Sequence, residues 1–182
     1  MAFLLKLKHW QLFLLTWGLS LVANISSFVN FRLFLSIFPL VMLLFVVGVL
    51  GWYWAIATTL FKLLPAGVKL NLRRFKVVLA LPVVYILFIL GYFALSFLMP
   101  DRLGGALVLA IMWIIIPLHL LSMAGIFYGL RFAAKVLKSV ELQREAHFGD
   151  YAAEFFLLWF SIIGVWIVQP RLNQLVREVP QE

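Results

Sequence analysis

The side chains of this sequence that could perform acid–base or metal chemistry are gathered in one stretch, SVELQREAHFGDYAAEFF, at positions 139–156. It contains four of the chain's 7 acidic residues and two further candidate groups, namely Glu141, Glu145, Asp150, Glu154, Arg144 and His147. Neighbouring carboxylates and a histidine are the groups from which general acid–base pairs and metal sites are built. This stretch is therefore the first candidate for a catalytic or metal-binding site.

The spacing of these residues matches no known metal or catalytic motif. The stretch has no H-E-x-x-H sequence, no Glu-x-x-His pair on two helices and no aspartate-rich phosphotransferase motif. Arg144 lies among the carboxylates and would partly neutralise them. A site that uses Glu141, Glu145, His147 and Asp150 therefore stays the alternative, and we expect no catalytic residue, cofactor or metal.

A structural interpretation explains most of the same residues. Residues 131–148 predict an amphipathic helix that continues the preceding hydrophobic segment, at about residues 103–130, into the cytoplasm. Gly149 predicts the end of this helix. Asp150 would cap the next helix, and Glu154 would lie near its N-terminus, where negative charge is favourable. Capping does not explain His147, so this residue is the first candidate if the stretch has a catalytic or metal-binding role.

The composition indicates an integral membrane protein. Of 182 residues, 65% are hydrophobic and 12% are charged, and the mean hydropathy is +1.10. In soluble domains roughly 45–50% of the residues are hydrophobic and about 25% are charged. So few polar side chains cannot cover a soluble domain. The net charge of +8 does not indicate nucleic-acid binding, because the basic residues flank apolar runs, where anionic lipid headgroups act on them. The absence of cysteine excludes disulfides, thiolate metal sites and cysteine nucleophiles.

Five hydrophobic segments predict an all-α membrane bundle of four to five helices, in a single domain over residues 1–182. A helix needs about 20 apolar residues to cross the hydrocarbon of a bilayer. The segments lie at about 10–31, 33–61, 77–99, 103–130 and 155–168. The last segment is only about 21 Å long at 1.5 Å per residue, and it contains Gly164. It therefore predicts either a short crossing or a re-entrant element.

The positions of lysine and arginine predict a cytoplasmic N-terminus in a bacterial inner membrane. Most basic residues lie on the inside whether the fifth segment crosses or re-enters, so charge does not distinguish these two arrangements. A signal peptide over residues 1–27 is the alternative for the first segment. No clean small-x-small cleavage site supports it, and Trp17 interrupts its apolar run.

Polar residues occur at two places within the hydrophobic segments. Thr16, Ser20 and Asn24 share one helix face, which predicts a packing seam against another helix or, alternatively, a hydrophilic path. His119 lies near the middle of the fourth segment, beside Pro117, and an ionisable side chain at that depth is a candidate functional group. Because no second His, Asp or Glu lies at comparable depth, we expect a neutral His119 that is hydrogen-bonded to a carbonyl, serine or tyrosine.

Two surfaces are candidates for external contacts. One is a face of small residues at steps of four, which predicts close approach of another helix, from a partner or from the same chain. Its members are Gly125, Gly129 and Ala133. The other is the loop VKLNLRRFK, residues 68–76, which predicts an interfacial segment facing anionic headgroups. Its basic members are Lys69, Arg73, Arg74 and Lys76.

The N-terminal KHWQLFLL and the C-terminal EFFLLWFSIIGVWIVQPRLN resemble segments of small, uncharacterised multipass membrane proteins of bacteria. The resemblance implies no particular activity. From the residues we expect a non-enzymatic accessory or scaffold subunit that contacts another membrane protein, or a second copy of itself, through the small-residue face and the joint at residues 131–154. A small oligomeric transporter or channel using His119 is the first alternative, and a membrane enzyme acting on lipid is the second.

Overall fold

The computed structural model describes residues 2–98 and 105–177, and all regular elements in these residues are helical. The six main helices are α1 (His9–Val29), α2 (Phe31–Leu60), α3 (Leu72–Leu98), α4 (Gly105–Leu142), α5 (Phe148–Trp159) and α6 (Ser161–Arg177). A 3-10 turn, Ala2–Lys6, precedes α1, and a π-helical turn, Leu14–Gly18, lies within it. The predicted all-α fold class is confirmed.

Four of these helices are long and apolar enough to cross a membrane. The qualifying ranges are His9–Val29, Phe31–Leu63, Leu72–Leu95 and Met112–Leu142. They match the first four predicted segments, because length and hydropathy alone set the bilayer requirement. The shorter α5 and α6, of 12 and 17 residues, form a C-terminal helix pair. The chain is therefore an integral membrane protein with four candidate membrane helices.

The end of α4 lies at Leu142, so the predicted stop at Gly149 is wrong. Gln143 adopts a left-handed backbone conformation, with a φ of 51°, and its side-chain Nε2 donates to the carbonyl of Val140 at 2.8 Å. This bond occupies one of the carbonyls that a helix end leaves unpaired. Gly149 lies instead in the first turn of α5.

A sharp turn at Phe160 divides the predicted segment 155–168 between α5 and α6. The backbone of Phe160 leaves the helical region, with φ −84° and ψ 56°. Gly164 then lies directly against α5, because a Cβ atom at this position would be 1.7 Å from the carbonyl oxygen of Leu157. Only glycine permits that approach. The two helices fold back on each other, and we refer to them as the C-terminal hairpin.

The buried core lies at one end of the bundle. Its largest fully buried side chains include Trp52, Phe75, Leu137, Leu158 and Leu172, which come from five different helices. We call this the basic end, because the chain segments that meet there carry most of the lysine and arginine residues, Lys6, Lys62, Arg74, Lys138 and Arg171 among them. The C-terminal hairpin starts and finishes at this end.

The opposite halves of α1–α4, which we call the far half, are thinly packed within the chain where their side chains are described. Phe28 is 91% exposed, Val29 85% and Trp113 81%. In each candidate membrane helix, no more than 22% of the most apolar window is buried inside the chain. The far half therefore offers its apolar surface to lipid or to another protein.

A buried amide ties the C-terminal hairpin to the N-terminus. Gln169 of α6 is fully buried, and its Oε1 accepts a hydrogen bond from the indole Nε1 of Trp52 at 2.9 Å. Its Nε2 donates to the carbonyls of Leu4 at 2.9 Å and Leu7 at 2.8 Å. Both amide protons and the carbonyl are thus satisfied, as burial of a polar group requires. One side chain joins α6, α2 and the 3-10 turn.

Candidate functional site

Four charged side chains from three helices meet at the basic end, and we call them the ion-pair cluster. They are Lys138 and Glu141 of α4, Glu154 of α5 and Arg171 of α6. Arg171 Nη2 lies 2.6 Å from both carboxylate oxygens of Glu141 and 2.8 Å from Oε1 of Glu154. Lys138 Nζ lies 3.3 Å from Glu141 and 3.2 Å from Glu154. Two acids thus face two bases.

Glu154 is the most buried member of the cluster, at 3% exposed. Its Oε1 accepts from both cations, whereas its buried Oε2 has no hydrogen-bond partner among the described residues. A buried carboxylate needs such pairing, because removing one partner leaves an uncompensated charge. The cluster therefore holds the C-terminal hairpin onto α4.

The remaining predicted acids form separate, more exposed ion pairs. Glu145 Oε1 lies 2.6 Å from Nζ of Lys135. Asp150 accepts two hydrogen bonds from Arg144, at 2.9 and 3.0 Å, and one from the backbone amide of His147 at 2.9 Å. Asp150 therefore caps α5, although it does so from within the first turn.

Glu145 and Asp150 are both stabilised in their charged form. The hydrogen bond from Arg144 and that from the His147 amide hold the pKa of Asp150 below its ordinary value. The hydrogen bond from Lys135 lowers the pKa of Glu145. A carboxylate whose pKa is lowered is a poor general acid or base near neutral pH.

The structure thus separates the residues that the sequence grouped as a polar site. Glu141 and Glu154 belong to the ion-pair cluster, whereas Glu145 and Asp150 each have their own cation, and His147 is exposed at the start of α5. Over residues 2–98 and 105–177, no group of three or more His, Asp or Glu side chains could hold a metal ion. The arrangement fits a structural joint.

His119 lies in a different place, in a cavity of about 350 Å³ that we call the bundle cavity. Its Nδ1 is 3.0 Å from the hydroxyl of Tyr85 on α3. The cavity lies between the four long helices, and Trp159 and Ser161, at the turn of the C-terminal hairpin, form part of its lining. The hydroxyl of Tyr53 donates to the carbonyl of Leu158 at 2.9 Å, which fixes that turn against α2.

The polar face of α1 is satisfied by the helix itself. Thr16 Oγ1 donates to the carbonyl of Leu12 at 2.8 Å, and Asn24 Nδ2 donates to that of Ser20 at 2.8 Å. Ser20 in turn donates to the carbonyl of Thr16 at 3.4 Å. Thr16 is buried against Gly48 of α2, where an added Cβ would be 2.9 Å from its methyl group. A packing contact with α2 therefore exists at Thr16, while Asn24 is exposed.

The small-residue face of α4 is occupied within the chain. A Cβ atom on Gly125 would lie 3.0 Å from the carbonyl oxygen of Val78, and one on Gly129 would lie 2.7 Å from a methyl group of Leu79. Ala133 is fully buried. Because α3 fills this face, a surface for a partner has to lie elsewhere.

The predicted interfacial loop leads into the first turns of α3, and its four basic side chains are all exposed. They are Lys69, Arg73, Arg74 and Lys76. Arg74 lies over the ring of Tyr128 at 5.7 Å, and Lys76 lies over the ring of Trp54 at 5.6 Å. These contacts are typical of cations that cover aromatic rings while remaining in contact with solvent or headgroups.

No protein-family model, curated protein or solved structure matches the chain.

Sequence reasoning missed the side chains that connect the hairpin to the rest of the chain. Gln169 and Arg171 lie just beyond the predicted segment 155–168, and Trp52 and Tyr53 lie within the predicted segment 33–61; the sequence assigned none of them a role. The available signal was Gln169 itself, because a polar amide that directly follows an apolar run needs hydrogen-bond partners if it is buried.

Proposed function

We propose that the chain is a non-enzymatic accessory or scaffold subunit that packs against another membrane protein. The observation that carries this proposal is the state of the acids in residues 139–156. All four, Glu141, Glu145, Asp150 and Glu154, are engaged in ion pairs within the chain. They are therefore occupied in joining helices and are not free for acid–base chemistry.

The far half is the surface that supports a partner. Its helices are thinly buried, and Trp113 of α4 projects from it with 81% exposure. Helices in a membrane associate by side-chain packing, and aromatic side chains are enriched where proteins meet. Because the small-residue face is used within the chain, the exposed apolar side chains of this far half are the surface that we assign to the partner.

Photocrosslinking in the native membrane tests the proposal. A photoreactive amino acid at position 113 is expected to give one stoichiometric adduct with a membrane protein. The same group at Ala66, an exposed loop position at the basic end, is the control. Trp113→Ala should lower the yield of the co-purified protein without changing expression. A chain that purifies alone as a monomer, with no adduct from position 113, would exclude the accessory role.

We also propose that the basic end faces the cytoplasm of a bacterial inner membrane. Among the lysines and arginines of residues 2–98 and 105–177, all but Arg32 belong to segments at the basic end or to the C-terminal hairpin that returns to it. Positive residues accumulate on the cytoplasmic side. The return of the hairpin supports a re-entrant arrangement, since Arg171 of α6 contacts Glu141 of α4.

The orientation is readily measured because the chain contains no cysteine. Single variants Lys69→Cys and Arg32→Cys place one thiol at each end of the bundle. In intact cells, a membrane-impermeant maleimide should label the Arg32→Cys variant and label the Lys69→Cys variant only after lysis. The reverse pattern would invert the proposed orientation.

A transporter or channel is the second candidate, and the bundle cavity favours it. His119 is an ionisable side chain within a candidate membrane helix, and together with its hydrogen-bond partner Tyr85 it lines this cavity. Proteoliposomes would then dissipate a pH gradient, and His119→Ala would stop the dissipation, whereas Trp113→Ala would not. A gradient that decays at the rate of empty liposomes would exclude proton transport.

A further inference from the structure

We propose that the bundle cavity binds a neutral amphipathic molecule, with a carbonyl oxygen inside the cavity and an apolar tail in the neighbouring groove. The cavity has a volume of about 350 Å³, and residues of all four long helices line it. This proposal does not depend on the accessory role or on proton transport.

The first observation is an unused hydrogen-bond donor. Trp17 lines the cavity, and its indole Nε1 is buried without any hydrogen-bond partner among the described residues. Its ring is held in place by an edge-on contact with Phe45, at 5.1 Å between ring centres. Buried N–H groups are almost always paired, so an unpaired one on a residue that lines a cavity points to an acceptor that the protein does not supply.

The second observation is the pair formed by His119 and Tyr85. If the Tyr85 hydroxyl donates to Nδ1, the proton on Nε2 of a neutral His119 is left to donate. If Nδ1 donates to the hydroxyl, the hydroxyl proton is left instead. In either tautomer, one donor of this pair remains free for an acceptor oxygen. Together with Trp17, the lining thus provides two donors.

The lining also determines the charge of the ligand. Among the described residues that line the bundle cavity, none is Lys, Arg, Asp or Glu. A phosphate or a carboxylate would therefore be buried without a counter-charge, at a large cost in free energy. The ligand that fits two donors in an apolar wall is neutral, and its acceptor is a carbonyl oxygen.

The third observation is an apolar groove that shares one wall with the cavity. This groove, between α2 and α3, has a volume of about 400 Å³, and the described residues that line it include no charged side chain. Val46, Leu50 and Ile86 line both spaces. These three side chains are all that the lining shows between the two spaces, and we place the acyl or isoprenoid tail of the ligand beyond them, in the groove.

Two neutral lipid classes share this chemistry, and direct binding distinguishes them. The full-length protein in nanodiscs would be titrated with a radiolabelled decyl-substituted benzoquinone and, separately, with a monoacylglycerol. A fatty acid at neutral pH serves as the charged comparison. We expect saturable binding of at least one neutral probe and none of the fatty acid. Whichever neutral probe binds more tightly identifies the class.

The variants test the donors and the space separately. Trp17→Phe removes the N–H but keeps an aromatic ring, and it should weaken the Kd about fivefold, as the loss of one neutral hydrogen bond does. Trp10→Phe is the matched control, because Trp10 is 46% exposed and lies outside the lining of the cavity, and it should leave the Kd unchanged. Ile86→Trp fills the shared wall and should abolish binding.

Two results would overturn the proposal. One is that neither neutral probe binds saturably to the wild-type chain. The other is that a probe binds equally well to wild type, Trp17→Phe and Ile86→Trp while all three unfold at similar temperatures, which would place the probe outside this cavity. Failure of the accessory role would appear instead as the absence of a protein partner, and it would leave these titrations unaffected.

Discussion

Replacement of Gln169 by leucine is the sharpest test of how the C-terminal hairpin is held. The side chain is fully buried and makes three hydrogen bonds, to Trp52, Leu4 and Leu7. Gln169→Leu conserves approximate volume but leaves one indole N–H and two carbonyls without this partner. A buried donor without an acceptor costs about 1–3 kcal/mol, and a carbonyl costs less because it has two lone pairs.

The expected loss of unfolding free energy is about 2–4 kcal/mol, after part of it is offset by the additional apolar burial of leucine. The assay is reversible unfolding in mild detergent, followed by tryptophan fluorescence. Gln174→Leu is the matched control, because Gln174 is exposed on the same helix. That variant should shift the unfolding free energy by less than about 0.5 kcal/mol.

A double-mutant cycle with Trp52→Phe isolates the indole bond. In the Trp52→Phe background there is no N–H to be left unpaired, so the cost of Gln169→Leu should fall by about 1 kcal/mol. The reasoning fails if Gln169→Leu is no more destabilising than Gln174→Leu. It also fails if the cycle shows no coupling between positions 52 and 169.

Three further predictions concern the hairpin and its joint. Gly164→Ala should prevent normal folding, seen as loss of the monodisperse peak in detergent, because the new Cβ would lie 1.7 Å from the carbonyl oxygen of Leu157. Arg171→Met should destabilise the chain by about 2–4 kcal/mol in the same unfolding assay, because Glu141 and Glu154 then have only Lys138 as a cationic partner. A loss of less than about 0.5 kcal/mol would show that the cluster is not structural. Asp150 has a folded pKa below its ordinary 3.8, so its ion pair with Arg144 stabilises the chain above that pH and is lost as pH falls through the lowered pKa. Asp150→Asn should therefore weaken the acid dependence of the melting temperature below about pH 3.8, and identical profiles for both proteins would refute this.

The four candidate membrane helices follow from the sequence because their signal is local. Hydropathy summed over about 20 residues decides whether a segment can cross a bilayer, and no knowledge of its neighbours is needed. The concentration of basic residues at particular segment ends is also visible in the sequence, because each lysine or arginine lies next to the hydrophobic segment that it flanks. The approximate positions of α1 to α4 were predicted on these grounds.

The end of α4 shows a weaker local signal. Glycine is the usual residue for a left-handed helix end, which favoured Gly149. The structure uses Gln143, because its side chain can return to the carbonyl of Val140. The backbone of Ala146 then donates to the buried hydroxyl of Ser139, which holds the joint against α4. The choice between two possible stops was therefore made by side-chain hydrogen bonds.

The sequence by itself determined that the chain is helical, apolar and suited to a membrane, and which stretch concentrates its acids. Only the tertiary structure decided what those acids do. Glu141 and Glu154 became structural because the turn at Phe160 carries Arg171 back to them, and Gln169 became a joint because Trp52 lies beside it. The physical reason is that burial cost depends on the partners a polar group finds across the fold. Those partners lie up to 165 residues away along the chain, beyond the reach of any local pattern.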